Sequence, residues 1–277
     1  MNNKLIPPCT YQGGKQRYAK QIVDIMFKEN NICENTKFYD LCCGSGAITL
    51  EIINRGISPQ NIIMVDNSMW GYFWKHIGDG TFNIDKFNEC ILTVPNDKSL
   101  VKSYVDELAA QTLDEYRLYN YLILQSCSFG GKQVDTVGLK WKHCGFRNYW
   151  QPTETSIRKS PVNPMQPSKD ELLRRVSLLC DKCLGVKCIN DDLNKINFSF
   201  KKEDIIYIDP PYLNTTGYNY NFNIVDFCNK YTGNKFYISE KTPFSQRAIC
   251  LNLTGAKGGI TAKKKKRDEE WLSVVNF

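Results

Sequence analysis

The sequence is most informative at first for what it lacks. Among its 277 residues there is no stretch of about 18 apolar residues, so no membrane-spanning helix is expected. The start, Met1-Asn2-Asn3-Lys4 leading into Pro7-Pro8, has no apolar run of the kind a secretory signal needs. Without such a signal, the 12 cysteines read as reduced thiols of a cytosolic protein rather than as a disulfide framework. Cys180-x-x-Cys183 with Cys188 lacks a fourth ligand at the usual spacing, so no metal centre is expected. No internal repeat is visible, and the formal net charge of +7 points to a polyanionic partner only where it is clustered. The length allows one large or two small domains with a substantial core.

What is present centres on Ile205-Ile206-Tyr207-Ile208-Asp209-Pro210-Pro211-Tyr212. The β-branched and aromatic run predicts a fully buried strand. Two prolines then end it, because each lacks an N–H, fixes φ and holds the preceding residue extended. Asp209 and the Pro210 carbonyl are thereby expected at the carboxyl end of a strand, where open α/β sheets bind ligands. An ionised carboxylate and a carbonyl can accept both hydrogens of an exocyclic amine on a planar base, and the Tyr212 ring offers a stacking face. A rigid turn at a strand end is the plainer alternative.

Toward the amino end, Tyr11-Gln12-Gly13-Gly14-Lys15 precedes apolar residues at helical spacing: Tyr18, Ile22 and Met26 with Ala19 and Val23 alongside. A Gly-Gly turn opening a helix leaves N–H groups that favour an anion, with Lys15 beside them. Phe38-Tyr39-Asp40-Leu41 reads as a strand, followed by Cys42-Cys43-Gly44-Ser45-Gly46 and a helix from Ala47 to about Asn54 that Gly56 ends. A second strand closes on Asp66. In a nucleotide-type βαβ unit, an acid at that place takes ribose hydroxyls. The three-glycine fingerprint is incomplete, which favours a smaller adenosine ligand over a dinucleotide.

The middle is less regular. Trp70 to Trp74 suits a core helix, and residues 100–125 suit two more. Residues 130–169 hold seven Lys/Arg against two acids, with Trp141, Phe146, Tyr149 and Trp150 interleaved and four prolines keeping the stretch irregular. Such a segment suits phosphate contacts with stacking or wedge side chains; a solvated connector is the alternative. Lys132, Lys140, Lys142, Arg147, Asn148 and Arg158 are its candidate DNA contacts, with Arg147, beside Phe146, the candidate reader of a guanine edge. A helix over residues 172–184, a strand over residues 187–189 and a later strand Phe236–Ser239 ending at Glu240 complete an α/β pattern. Residues 214–221 form a polar loop able to close over a substrate, and the cations 263–267 beside Asp268, Glu269 and Glu270 read as a solvated run.

Taken in order, these motifs resemble the DNA adenine-N6 methyltransferases of the Dam type, including phage-borne members. Tyr11–Lys15 looks like their amino-terminal motif, Asp40–Gly46 like their first cofactor motif, Asp66 like their second acid and Asp209–Tyr212 like their catalytic tetrapeptide. Cys127-Ser-Phe-Gly-Gly-Lys132 also looks like phage members. The likeness runs from about Pro7 to Glu240. It departs at Leu41-Cys42, where the family commonly has Pro-Phe, and at Glu240.

The resemblance implies a Rossmann-like class I methyltransferase sheet formed by residues 1–68 and 186–277, with an inserted, mostly helical and irregular target-recognition region over residues 69–185. It implies S-adenosylmethionine bound by Tyr11, Gly13, Gly14, Lys15, Asp40, Gly44, Gly46, Asp66 and Asp192. It also implies double-stranded DNA as partner, a monomer in solution with a dimer on DNA as the alternative, and the cytoplasm of a bacterial or phage-infected cell. Asp209, Pro210, Pro211 and Tyr212 would act on a flipped adenine. The rivals are an RNA adenine methyltransferase, against which the leading Asp209 counts, and a nucleic-acid-binding protein with an inactive methyltransferase domain.

Overall fold

The computed structural model describes residues 4–210, 222–251 and 269–277. Among the described residues the strands are β1 Phe38–Leu41, β2 Ile62–Val65, β3 Asp135–Val137, β4 Lys140–Lys142, β5 Lys187–Ile189, β6 Ile205–Ile208, β7 Lys235–Glu240, β8 Ala248–Cys250 and β9 Trp271–Asn276. The helices are α1 Ala19–Lys28, α2 Ala47–Asn54, α3 Met69–Gly78, α4 Ile84–Thr93, α5 Val101–Ala110, α6 Arg117–Cys127, α7 Lys169–Lys182 and α8 Ile224–Asn229. No helix among them is long and apolar enough to cross a membrane.

Seven strands form one mostly parallel sheet in the order β5-β2-β1-β6-β7-β9-β8. The strand that ends at Asp209 is central: β6 pairs in parallel with β1 on one side and β7 on the other. All four of its residues are buried, as the apolar run predicts for a strand covered on both faces. Alternation then sorts the side chains. Ile205 and Tyr207 join one core cluster with Phe38, Ile62 and Met64, whereas Ile206 and Ile208 join a second with Leu41, Val65 and Phe236. α8 and a group of rings that includes Phe198, Phe200 and Tyr231 cover the second face. Beyond β7 the sheet reverses, because β9 runs antiparallel to it and β8 antiparallel to β9.

The first face carries far more. Residues of α1, α2 and α3 lie in the same cluster as Phe87 of α4, Val105 of α5, Tyr121 of α6 and Val176 of α7. The helices of residues 69–185 add apolar residues to the same core cluster as the sheet. α3 approaches the strand ends so closely that a Cβ on Gly78 would lie 1.9 Å from the Val186 carbonyl oxygen. Residues 130–169 are less irregular than their prolines suggest. β3 and β4 form an antiparallel hairpin whose turn holds Gly138 at φ 58°, and isolated bridges join Ser128 to Phe146 and Trp150 to Val162.

Candidate active site

The chain leaves β1 toward β2 and β5 on one side and, later, from β6 toward β7 on the other. The strand order thus reverses between β1 and β6, and a crevice is expected outside their carboxyl ends. The backbone N–H of Asp209 donates to the Leu41 carbonyl at 3.1 Å, which fixes the end of β6 against the end of β1.

The loop after β1 is shaped by close approaches that need glycine. Gly44 has φ 48°, and a Cβ on it would lie 2.8 Å from Tyr11 Cε1; Gly46 has φ 75°, and a Cβ there would lie 2.3 Å from Trp74 Cζ2. Trp74 Nε1 donates to the Gly44 carbonyl at 3.0 Å. The Tyr11 hydroxyl reaches Gln133 at 3.1 Å, so the amino-terminal motif, the glycine loop and the segment before β3 share one wall. Gln125, fully buried on α6, ties that wall together: its Nε2 donates to the carbonyls of Gly131 and Lys132, and its Oε1 accepts from Val134 N.

Asp66, at the end of β2, accepts from Gly44 N at 2.9 Å through Oδ2 and from the backbone and hydroxyl of Ser68 through Oδ1. A carboxylate offers about four acceptor positions, so these three bonds leave room for a hydroxyl. Asn190 Nδ2 holds the Asp66 carbonyl at 2.8 Å and that of Ser68 at 3.0 Å. Asp40 was expected among the cofactor contacts, but it is 1% exposed and turned under the loop. It accepts from Thr49 N and Oγ1 at 3.1 and 2.7 Å and so anchors the start of α2. Burial pushes its carboxyl up to about 6.

Lys15 also differs from its expected place. Its ammonium, 5% exposed, pairs with Asp209 Oδ2 at 2.7 Å and Glu270 Oε1 at 3.7 Å and donates to the Gly13 carbonyl at 3.0 Å. It lies with Asp209 rather than open to an anion at the Gly-Gly turn. Burial raises the Asp209 carboxyl to about 7; Lys15 opposes that rise, while Glu270 and Asp40 add to it. Glu240, at the end of β7, is also raised by burial, with Lys15 acting against the shift.

Asp192 is half-buried and caps the short turn Leu193–Lys195 by accepting from Asn194 N at 2.8 Å. Pro210 is buried. Pro211, Tyr212, the polar loop 214–221 and the cations 263–267 lie outside the described residues. Glu270, read from sequence as part of a solvated charge run, is instead 9% exposed and faces Lys15.

In the basic segment Lys132, Lys140, Lys142 and Asn148 are exposed. Arg158 is half-buried, its guanidinium folded back on the carbonyls of Ser160 and Pro161 at 2.8 and 3.2 Å. Arg147 overturns its expectation as a base reader. It is buried, and Nη2 donates to the Ser126 carbonyl at 2.6 Å at the end of α6. Its cation braces the fold from inside, and Arg147→Ala should therefore lower thermal stability by about 1–3 kcal/mol. A melt unchanged from wild type would contradict that structural role.

No protein-family model matches the chain, and no curated protein matches it significantly.

Proposed function

We propose that the chain is a DNA methyltransferase that uses S-adenosylmethionine to methylate the N6 amine of an adenine flipped out of duplex DNA. The observation that carries this reading is the meeting of Asp209, paired with Lys15, and the Asp66–Gly44 loop at the place where the strand order reverses.

The donor set fits the cofactor. Asp66 keeps an acceptor position for a ribose hydroxyl, and Tyr11 packs against the glycine loop that Asp66 holds. S-adenosylmethionine supplies an electrophilic methyl group.

The residues of the chain do the rest. Ionised Asp209 and the Pro210 carbonyl accept the two amine hydrogens and orient the nitrogen lone pair, and Tyr212 stacks on the base. Asp209 is the group placed to receive the proton that the amine loses. The exposed Lys132, Lys140 and Lys142 offer cations for phosphate contact, and the Asn148 amide a neutral polar contact.

Label transfer from methyl-labelled cofactor to duplex DNA, with RNA as control, tests the reading. Label is expected in N6-methyladenine of the duplex alone. Label in RNA would move the acceptor, and none in either would remove the activity.

Two further results are expected. Asp66→Ala weakens cofactor binding by about 1–3 kcal/mol, since a charge-assisted acceptor is lost along with the tie to Gly44. Unchanged affinity by calorimetry would displace the pocket. Lys140→Ala and Lys142→Ala each flatten the slope of log affinity for DNA against log salt by about 0.9 for the phosphate contact removed. Slopes equal to wild type in both would take the hairpin off the DNA.

A further inference from the structure

We propose that Glu270 is a positioning residue of the Asp209 site: it shares the Lys15 ammonium with Asp209 and so sets how firmly that ion pair holds the carboxylate that meets the amine of a substrate. Its role in turnover rests on the methyl-transfer reading; its link to Lys15 and Asp209 does not.

The placement of Glu270 follows from the sheet. β9 runs antiparallel to β7 with Trp271 opposite Glu240, so the residue before β9 arrives at the carboxyl ends of the parallel strands. Its carbonyl accepts from Leu251 N at 2.8 Å, which fixes the backbone at that level. The side chain is turned inward and stands 3.7 Å from Lys15 Nζ, while Asp209 stands 2.7 Å from the same atom.

Lys15 engages Oδ2 of Asp209, and the other carboxylate oxygen can still accept from an amine, but the cation draws charge from both oxygens and weakens the carboxylate as an acceptor and a base. Glu270, beside the same ammonium, limits that draw, and the Gly13 carbonyl at 3.0 Å is a further acceptor there. Other described groups also face this pair. Asp40 is committed to Thr49, and the Tyr207 hydroxyl lies 2.8 Å from Ser239 Oγ. Glu240 stands opposite the start of β9 and acts on Lys15 and Glu270 rather than first on Asp209.

The test reads Asp209 directly in the full chain. Carbon-13-labelled aspartate carboxyls are titrated by NMR, with the Asp209 signal assigned by its loss in Asp209→Asn. Removing the charge of Glu270 takes away a repulsion and lets Lys15 draw closer to Asp209. Both effects ease ionisation, so Glu270→Gln should lower the Asp209 midpoint by about one unit, a tenfold change in proton affinity. Glu270→Asp, shorter by one methylene, should give a midpoint between the two. An unmoved midpoint in folded Glu270→Gln overturns the proposal; if that variant does not fold, a Glu270→Asp midpoint equal to wild type does so.

A double-mutant cycle separates positioning from plain repulsion. The Glu270→Gln shift should be larger with Lys15 present than in a Lys15→Met background, and equal shifts overturn the positioning role. In parallel, well above pH 7, where Asp209 is ionised in both proteins, Glu270→Gln should lower kcat and leave cofactor affinity unchanged. If wild type transfers no methyl group, the proposed activity falls, while the titration still decides whether Glu270 governs Lys15 and Asp209.

Discussion

Asp209→Ala is expected to abolish methyl transfer and leave cofactor binding largely intact, because the carboxylate acts on the amine and not on the adenosine ligand. A preorganised acceptor in a water-poor site is worth on the order of 10²–10³ in kcat, so residual activity at or below that level is expected. Asp209→Asn is the sharper test. Lys15 lies 2.7 Å from Oδ2 and will claim the amide oxygen, which turns the NH₂ toward the substrate. A donor then faces a donor, and the Asn variant should be as disabled as the Ala variant.

The same group sets the pH dependence. Asp209 is raised to about 7 by burial, and only its ionised form accepts both hydrogens. kcat/KM in the wild type should therefore rise with pH up to about 7 and then level, with a tenfold loss per unit well below that point. Single-turnover rates across the range would show it. Wild-type turnover by Asp209→Asn would remove the carboxylate from the mechanism.

Much of this site could be read along the chain because its parts are local. A buried apolar run closed by Asp209-Pro210 fixes a strand and its end together, and Gly44 and Gly46 announce a turn that other side chains would obstruct. The relations between distant segments were not legible. Lys15 stood beside a Gly-Gly turn, and nothing local says that its ammonium crosses to β6. Glu270 followed a run of cations, and its burial depends on β9 reversing against β7, a matter of long-range register. Arg147 was misplaced for a related reason. A cation among aromatic and basic neighbours reads as a surface group until the Ser126 carbonyl at the end of α6 is seen to receive it. Asp40 looked like a ligand contact because strand-end acids often are, whereas Thr49, one turn into α2, takes its carboxylate inward.

Asn190 and Gly71 escaped the sequence reading altogether, and they yield the largest expected effect on stability. Gly71 lies inside α3, where replacing glycine with alanine ordinarily stabilises a helix by about 1 kcal/mol. Here the sign should reverse. A Cβ at Gly71 would fall 2.0 Å from the Asp66 carbonyl oxygen and 2.6 Å from Asn190 Nδ2, which is donating to that oxygen. One contact is with backbone and cannot swing away, so α3 must retreat from the strand ends or the Asn190 clamp must open. Overpacking of this kind costs about 1–3 kcal/mol or more, and α3 carries the Ser68 cap that itself bonds Asp66. Gly71→Ala should thus lower the melting temperature by several degrees and also weaken cofactor binding, because Asp66 shifts with the helix start. Gly56→Ala provides the comparison. Gly56 has φ 89° with no atom near its would-be Cβ, so alanine there adds backbone strain of about 1–2 kcal/mol and leaves the pocket untouched. If both variants melt earlier but only Gly71→Ala loses cofactor affinity, the α3–Asp66 contact is what shapes the pocket. Gly71→Ala with wild-type affinity and melting temperature would show that α3 does not press on Asp66.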